Sequence, residues 1–293
     1  MDIESKKFLG QPKNFVSIFN ALLFDGQPVL KPEYLKDENS ELVMNVSSKH
    51  VDIIKRYEDG TYLDLFVIES QSYVDPSMVA RVMEYESVAR MRYIRQNFKK
   101  HVPMHTRLPM ILTVVLYVGE SKWNAAKRLS ELEIIHPGFE DMFNEFKLNL
   151  IELNTNHKYN TGEKATQDFF DLLRMIYRKQ ILKEDLDREF NRDALYFAYV
   201  VTKNKELLNI YQKSEKGDVK VCRALDEMFE ESTNKGIQMG IKQGIEQGIE
   251  RGVKNTQIKI AIKMLVRNNQ TLEEISEIVG LDLNALRELK KSI

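Results

Sequence analysis

The clearest pattern of hydrophobic and polar positions in the chain is a pair of strand-like runs, residues 50–57 and 62–69, on either side of Asp59-Gly60. Both runs are rich in β-branched and aromatic residues, which is typical of strands. An Asp-Gly dipeptide between two such runs indicates a hairpin with a two-residue turn. The pattern therefore predicts an antiparallel hairpin at this point in the chain.

Apolar periodicity predicts the elements on either side of the hairpin. Residues 13–24 carry the i, i+3, i+4 stripe of an amphipathic helix. Asp75-Pro76 is a strong helix start and predicts a helix from Pro76 to about Phe98. The near-continuous apolar run 110–118 is typical of a central strand buried on both faces, and residues 147–153 indicate a further, candidate edge strand.

The rest of the chain is predicted to be helical. Residues 165–178 and roughly 193–211 carry core-type stripes, and the final stretch indicates three short helices over 257–266, 271–281 and 283–290. Thr271 and Glu274 form a capping box in the middle one. The spacing resembles helix-turn-helix units, but seven Lys or Arg against five acids in residues 254–293 leave a packing or oligomerisation module equally open.

A glycine repeat separates these helices from the tail. From Gly236 to Gly252 a glycine recurs every fourth residue, and each is followed by Ile or Val. Five glycines weaken an isolated helix by about 5 kcal/mol, so a helix here needs compensation, which close approach of a partner helix would supply. The repeat therefore predicts a homo-oligomer through right-handed helix crossing, with a flexible charged linker as the alternative.

Composition sets wide limits. The chain has 293 residues, 43% hydrophobic and 30% charged, and a formal net charge of -1, so any polyanion site depends on local clustering. Residues 77–110 hold seven Arg or Lys against two acids, which fits either phosphate binding or a solvated helix face. A single cysteine, a mixed-charge start and no apolar run long enough for a bilayer lead us to expect a cytoplasmic protein without membrane partners.

Several common chemistries find no support in the motifs. Of the five histidines, His101 and His105 are four apart, but Pro103 breaks the helix that would align them on zinc. The chain has no phosphate-binding Gly-x-x-x-x-Gly-Lys loop, no dinucleotide-binding glycine pattern after a strand, and no nucleophile elbow. ATPase, dehydrogenase and hydrolase-fold activities are therefore weak candidates.

Carboxylates on the predicted hairpin indicate a metal site instead. A turn made only of Asp59 and Gly60 places Asp52 opposite Val67, with Glu69 as its diagonal neighbour on the same face and Gln71 two residues further on. Diagonal neighbours lie about 7–8 Å apart, a span across which two carboxylates can share one divalent cation. The alternative is two unrelated carboxylates on an exposed hairpin face.

This ordered set of motifs resembles the recombination-promoting nuclease/putative transposase (Rpn) family, a branch of the PD-(D/E)XK nucleases. The resemblance covers roughly residues 8–160. It rests on residues 51–55, 68–72 and 78–85, and on Leu108-Pro109 before the strand that ends at 116–119. The chain departs from the family at Val51 in place of the motif proline, at Gln71 in place of the motif lysine, and at Ser17, near where relatives carry an acid.

The resemblance implies an α/β fold with a PD-(D/E)XK core, a mixed central sheet flanked by helices, over residues 1–215. A helical repeat segment over 216–256 and a small helical tail over 257–293 would follow. It implies a metal-dependent DNA endonuclease associated with recombination or transposition, with Asp52 and Glu69 holding Mg²⁺, or another divalent cation such as Mn²⁺ or Ca²⁺. Gln71 would complete the catalytic set, and Arg81 and Tyr85 would bind the DNA. The alternative function is a nuclease-fold protein with little or no turnover that acts as a DNA- or protein-binding module.

Overall fold

The computed structural model describes residues 3–37, 53–60, 63–98, 100–181, 185, 187–214 and 217–293. The chain divides into two compact units, residues 1–226 and 227–293. Asp52, one of the two predicted metal ligands, lies outside the described residues. So does Lys99, one of the seven Arg or Lys residues of the basic cluster in residues 77–110.

The first unit is built on a five-stranded mixed sheet. The strands, in their spatial order, are β1 (Leu35–Asp37), β2 (Ile53–Glu58), β3 (Leu63–Gln71), β4 (Ile111–Tyr117) and β5 (Asn149–Glu152). The pairs β1–β2 and β2–β3 are antiparallel, whereas β3–β4 and β4–β5 are parallel. β4 therefore has a neighbour on each side, as its apolar run predicts, and β5 is an edge strand.

Helices cover both faces of this sheet. On one face, Tyr85 and Ala89 of α3 pack with Leu65 and Val67 of β3. On the other, Phe19 of α2 lies 4.8 Å from Phe66 by ring centroids. The helices of this unit are α1 (Ile3–Leu9), α2 (Pro12–Phe24), α3 (Met78–Asn97), α4 (Lys164–Arg178), α5 (Arg192–Thr202) and α6 (Lys205–Lys213), and a small two-stranded sheet pairs β6 (Glu189–Phe190) with β7 (Val219–Lys220).

The crossover through α3 determines where a site can form. Parallel strands need such a crossover, and α3 carries the chain from the end of β3 back to the start of β4. The carboxyl ends of β3 and β4 consequently meet, with Gln71 opposite Tyr117. Since α3 begins seven residues after β3 ends, its first turn lies beside that edge.

The hairpin exists, but its predicted register is wrong by two residues. Val67 lies opposite Ile54, not Asp52, and Glu58 lies opposite Leu63. β2 ends at Glu58 and β3 begins at Leu63, and Asp59 lacks the positive φ that both central residues of a two-residue type I′ turn need. A shift of two residues leaves every side chain on the predicted face.

Two helix boundaries also differ from the prediction. α3 begins at Met78 rather than Pro76, because the Asp75 carboxylate accepts hydrogen bonds from the Ser77 backbone N–H and hydroxyl and holds a turn ahead of the helix. The single helix predicted over residues 193–211 is two helices, α5 and α6. Lys203 takes a left-handed conformation (φ 56°) between them, and the Asn204 side chain caps α6.

The second unit contains most of α7 (Cys222–Arg267), together with α8 (Leu272–Val279) and α9 (Leu283–Lys291). The glycine repeat is therefore helical, and the separate helix predicted over 257–266 is the end of α7. The capping box of Thr271 and Glu274 is present, as predicted, and Gly280 ends α8 in a left-handed conformation. Ala261, Leu265 and Leu286 form the core of this three-helix unit with α8. Throughout the described part of the chain, every helix is too short or too polar to cross a membrane.

Candidate active site at the carboxyl end of β3

Glu69 and Gln71 lie at the carboxyl end of β3 on the face covered by α3. Alternation along the strand puts them on the same side as Leu65 and Val67, whose packing against α3 fixes that face inward. Both polar side chains are nevertheless buried, with 3% of Glu69 and 5% of Gln71 exposed. The Gln71 amide donates to Glu69 Oε1 at 3.0 Å. A buried carboxylate needs such donors, because burial without them is costly.

Arg81, in the first turn of α3, joins Glu69 to two further side chains. Its Nη2 lies 3.0 Å from Glu69 Oε1, and its Nη1 lies 2.5 Å from Asp75 Oδ2. Its Nε and Nη2 also donate to the Tyr85 hydroxyl, at 3.1 and 2.8 Å. The predicted site residues Glu69, Gln71, Arg81 and Tyr85 are thus gathered in one hydrogen-bonded cluster.

Asp75 belongs to this cluster, although the sequence predicts it only as a helix start. Its Oδ1 accepts from the Ser77 backbone N–H and hydroxyl, and its Oδ2 accepts from Arg81. No helical or strand period pairs residues 75 and 81, so sequence spacing does not reveal the contact. The only available signal is an acid just ahead of a helix with a base at its first turn.

Burial and hydrogen bonding set the charge state of the cluster. Burial raises the pKa of Asp75, but hydrogen bonds from Ser77 and Arg81 outweigh it, so the net pKa is lowered. For Arg81 burial acts to lower the pKa, but hydrogen bonds to Tyr85 and Asp75 raise it overall. Burial raises the pKa of Tyr85, which keeps its hydroxyl protonated. Near neutral pH the Asp75 carboxylate is therefore ionised and Arg81 is charged.

Asp75→Asn should destabilise the protein in a pH-dependent way. Because the folded-state pKa of Asp75 is lowered, its charge contributes stability above the unfolded pKa of about 3.9, and that contribution is lost as pH falls through the folded pKa. The difference in urea midpoint between the wild type and Asp75→Asn should therefore be largest at pH 7 and pH 5 and should become smaller at pH 3.

Asp64→Asn is the contrasting control, since burial raises the pKa of Asp64 and reverses the sign of the trend. The urea midpoint of Asp64→Asn should therefore rise relative to that of the wild type as pH rises. A gap for Asp75→Asn that is the same at pH 7 and pH 3 would show that its carboxylate charge does not stabilise the fold.

Oxygen donors in this cluster suit a hard divalent cation. Glu69 supplies a carboxylate and Gln71 an amide oxygen, the ligand types that Mg²⁺ prefers. Among the residues the structure describes, no three His, Cys, Asp or Glu side chains are grouped to hold a metal ion. Ile53, the first residue of β2, lies opposite Ile68, which precedes Glu69. The other predicted ligand, Asp52, lies outside the described residues, and a cation at Glu69 would share that carboxylate with Arg81.

The basic cluster that follows Arg81 is only partly used within the fold. Arg90 forms an ion pair of 2.9 Å with Glu86, whose other oxygen accepts from the Thr113 backbone N–H. Arg95 is exposed near the end of α3. No salt bridge to another described residue involves the remaining bases of this stretch, Arg92, Arg95, Lys100 and Arg107. These four side chains can meet phosphates without breaking a described ion pair.

Ser17, near the place where relatives carry an acid, has a structural role. It is buried in α2, and its hydroxyl oxygen lies 2.8 Å from the Asn14 carbonyl oxygen and 2.8 Å from Thr166 Oγ1, with which it shares a hydroxyl–hydroxyl hydrogen bond. The contact joins α2 to α4. The chain therefore uses this position for helix packing.

A mixed α/β sheet with a polar cluster at the carboxyl ends of its parallel strands defines the class of this protein's core. The family model described as "putative transposase, YhgA-like" (Transposase_31) matches residues 33–207. This match covers more than half of the chain, so the chain belongs to that family, whose description relates it to transposition. No curated protein and no solved structure matches it significantly.

Proposed function

We propose that this chain is a metal-dependent DNA endonuclease with a PD-(D/E)XK core, acting in recombination or transposition. The main support for this proposal is the buried Glu69 carboxylate at the carboxyl end of β3, which accepts a hydrogen bond from Gln71 and forms an ion pair with Arg81. Membership of a transposase-like family supports a substrate of DNA. Burying an ionisable side chain costs free energy, and such side chains concentrate at functional sites.

Asp52 and Glu69 would hold Mg²⁺, or another divalent cation such as Mn²⁺ or Ca²⁺. When bound, the cation polarises the scissile phosphate and lowers the pKa of a coordinated water. Arg81 fixes the rotamer of Glu69 through Oε1, and Asp75 fixes Arg81 in turn. This chain of contacts presents the carboxylate in one orientation, which is what a metal ligand requires.

Gln71 stands where related nucleases carry a lysine. Its amide donates to Glu69 Oε1, a bond that a lysine ammonium at the same position could also make. A glutamine cannot supply positive charge to the transition state. Arg81 lies 3.0 Å from the Glu69 carboxylate, so we propose that Arg81 provides that charge.

Basic side chains along α3 and the segment after it would bind the phosphates of the DNA backbone. Arg81 and Tyr85 stand beside Glu69, and the exposed Arg95 and the nearby Lys100 extend positive charge away from it. Contacts of this type fix the register of the nucleic acid without reading its sequence. Binding should accordingly weaken steeply with salt.

Gln71→Lys is expected to cleave DNA as fast as the wild type or faster, because lysine retains the donor to Glu69 and adds positive charge. The measurement is the initial rate of supercoiled plasmid nicking in Mg²⁺. Gln71→Ala, which removes the donor, is the matched control and should be slower. A loss of cleavage in Gln71→Lys with normal folding would show that the amide itself is a required part of the site.

The second candidate function is a nuclease-fold protein that binds DNA or protein without turnover. The Arg81 guanidinium favours it, because Glu69 Oε1 is already bound to a cation of the protein. Plasmid incubated with the purified chain in Mg²⁺, Mn²⁺ or EDTA separates the two. Nicking in either metal but not in EDTA supports the endonuclease, whereas retained plasmid binding with no nicking under any condition supports the binding module.

A further inference from the structure

The glycine repeat of α7 exposes an apolar stripe along the helix. The residues that follow the glycines are 52–63% exposed, and they are Ile237, Ile241, Ile245, Ile249 and Val253. Beside them, a Cβ added at any of the five repeat glycines would have no described atom within 4 Å. Each helix therefore carries an apolar ridge next to a shallow groove of glycines, and neither is covered by the described residues of its own unit.

The ridge and the groove have the same four-residue period, so the surface is complementary to itself. Four residues turn an α-helix by about 40° more than one full turn, so both rows wind slowly in a right-handed sense. A ridge of one copy can thus follow the groove of another over several turns. Self-complementarity of this kind is the condition for an isologous pair of identical chains.

The two remaining positions of the repeat flank this surface. The row after the apolar ridge is mostly charged, with Gln238, Lys242, Glu246, Glu250 and Lys254. The row before the glycine groove is nearly neutral, with Met239, Gln243, Gln247, Arg251 and Asn255. Charge across a seam therefore depends on which row meets which.

We propose that the stripe binds a second copy of this chain with the two repeat helices parallel. A two-fold axis along parallel helices sets the ridge of each against the groove of the other and the charged row beside the neutral row. The neutral row contains no acid, and its one base, Arg251, meets the level of Glu250. The charge of Arg251 is then nearest along the axis to the opposite charge of Glu250.

Antiparallel pairing lacks this complementarity. It sets ridge against ridge and the charged row against itself. Lys242 and Lys254 lie at equal distances on either side of Gly248, as do Glu246 and Glu250, so a pair centred on Gly248 brings like charges together. The apolar surface also continues past the repeat into a groove between α7 and α8 lined by Ile260 and Ile278, which lengthens the area available to a partner.

The triple variant Gly240→Ala, Gly244→Ala, Gly248→Ala tests the proposal by sedimentation velocity on the full chain. The monomer mass is 34.3 kDa, and the wild type is expected to sediment as a dimer. Within one chain each added methyl meets open space and favours the helix, so helicity measured by circular dichroism should stay the same or rise. The dissociation constant of the dimer should nevertheless rise by at least about tenfold, because the added methyl groups fill the groove that the partner's ridge would occupy.

The matched control is Gln238→Ala, Lys242→Ala, Glu246→Ala, which adds three alanines over the same span without changing the net charge. Because these side chains belong to the charged row, the control should remain a dimer like the wild type. A wild type that is monomeric at every concentration, or an equal dimer in both triple variants, would overturn the proposal.

Orientation is tested with Ile241→Cys and Ile249→Cys, made separately and treated with a short bis-maleimide. The native Cys222 is buried, and burial raises the pKa of its thiol to about 11, so it reacts poorly. A parallel pair cross-links each variant to its own copy. Cross-linking only in a mixture of the two variants, or cross-linking of Ile249→Cys without cross-linking of Ile241→Cys as an antiparallel pair centred on Gly248 would give, would overturn the parallel arrangement.

Discussion

Arg81→Ala is expected to lower the free energy of unfolding by about 3–5 kcal/mol, the usual cost of removing one partner from a buried ion pair. The Arg81 side chain is 13% exposed and binds two carboxylates, Glu69 at 3% and Asp75 at 11% exposure. Alanine would leave both acids without their cation in a site that water reaches poorly. The Tyr85 hydroxyl would lose its two donors as well.

Urea unfolding monitored by fluorescence and circular dichroism measures this effect. Arg95→Ala is the matched control, since Arg95 is an exposed arginine on the same helix, and its change should stay within about 0.5 kcal/mol. The loss of unfolding free energy in Arg81→Lys should lie between those of Arg81→Ala and Arg95→Ala, because lysine keeps the charge but lacks the forked guanidinium that reaches both acids. Adding Glu69→Gln to Arg81→Ala should recover part of the loss. Equal stability of Arg81→Ala and Arg95→Ala would contradict the buried network.

Loss of either predicted metal carboxylate is the second change with a large expected effect. Glu69→Gln keeps the shape of the side chain and an oxygen that accepts from Arg81, but it removes the charge that a cation requires. Plasmid cleavage should fall by about a hundredfold or more, since outer-shell partners of metals already cost 10–100-fold. Stability should change far less than in Arg81→Ala, because Asp75 still pairs with Arg81.

Much of this site can be predicted from the sequence because it follows local periodicity. Alternation along β3 puts Glu69 and Gln71 on one face, and helical spacing puts Arg81 beside Tyr85. The hairpin register could not be derived in the same way, since it depends on whether the connection takes two or four residues. The dipeptide Asp59-Gly60 is compatible with both.

The features missed in the sequence depend on single backbone conformations and on contacts outside any period. The left-handed Lys203 splits one predicted helix into α5 and α6, although lysine is not a typical residue for that conformation. Asp75 reaches Arg81 across the turn that precedes α3, a contact that no spacing rule gives. The predicted helical repeat segment and the separate helix predicted over 257–266 are one continuous helix, α7, so the glycines lower its intrinsic helix propensity without interrupting it.

A metal-dependent nuclease site at the end of β3 is tested most directly by nicking of supercoiled plasmid in Mg²⁺ by the wild type, Asp52→Ala and Glu69→Gln, with a matched control for each variant. The control for Asp52→Ala is Asp59→Ala, the same substitution in the hairpin connection. The control for Glu69→Gln is Glu58→Gln, the same substitution at the far end of the hairpin. A metal site formed by Asp52 and Glu69 predicts Mg²⁺-dependent nicking by the wild type and by both controls, and its loss in Asp52→Ala and Glu69→Gln with their folding intact. Nicking by Asp52→Ala and Glu69→Gln at the wild-type rate would contradict a metal-dependent nuclease site at the end of β3.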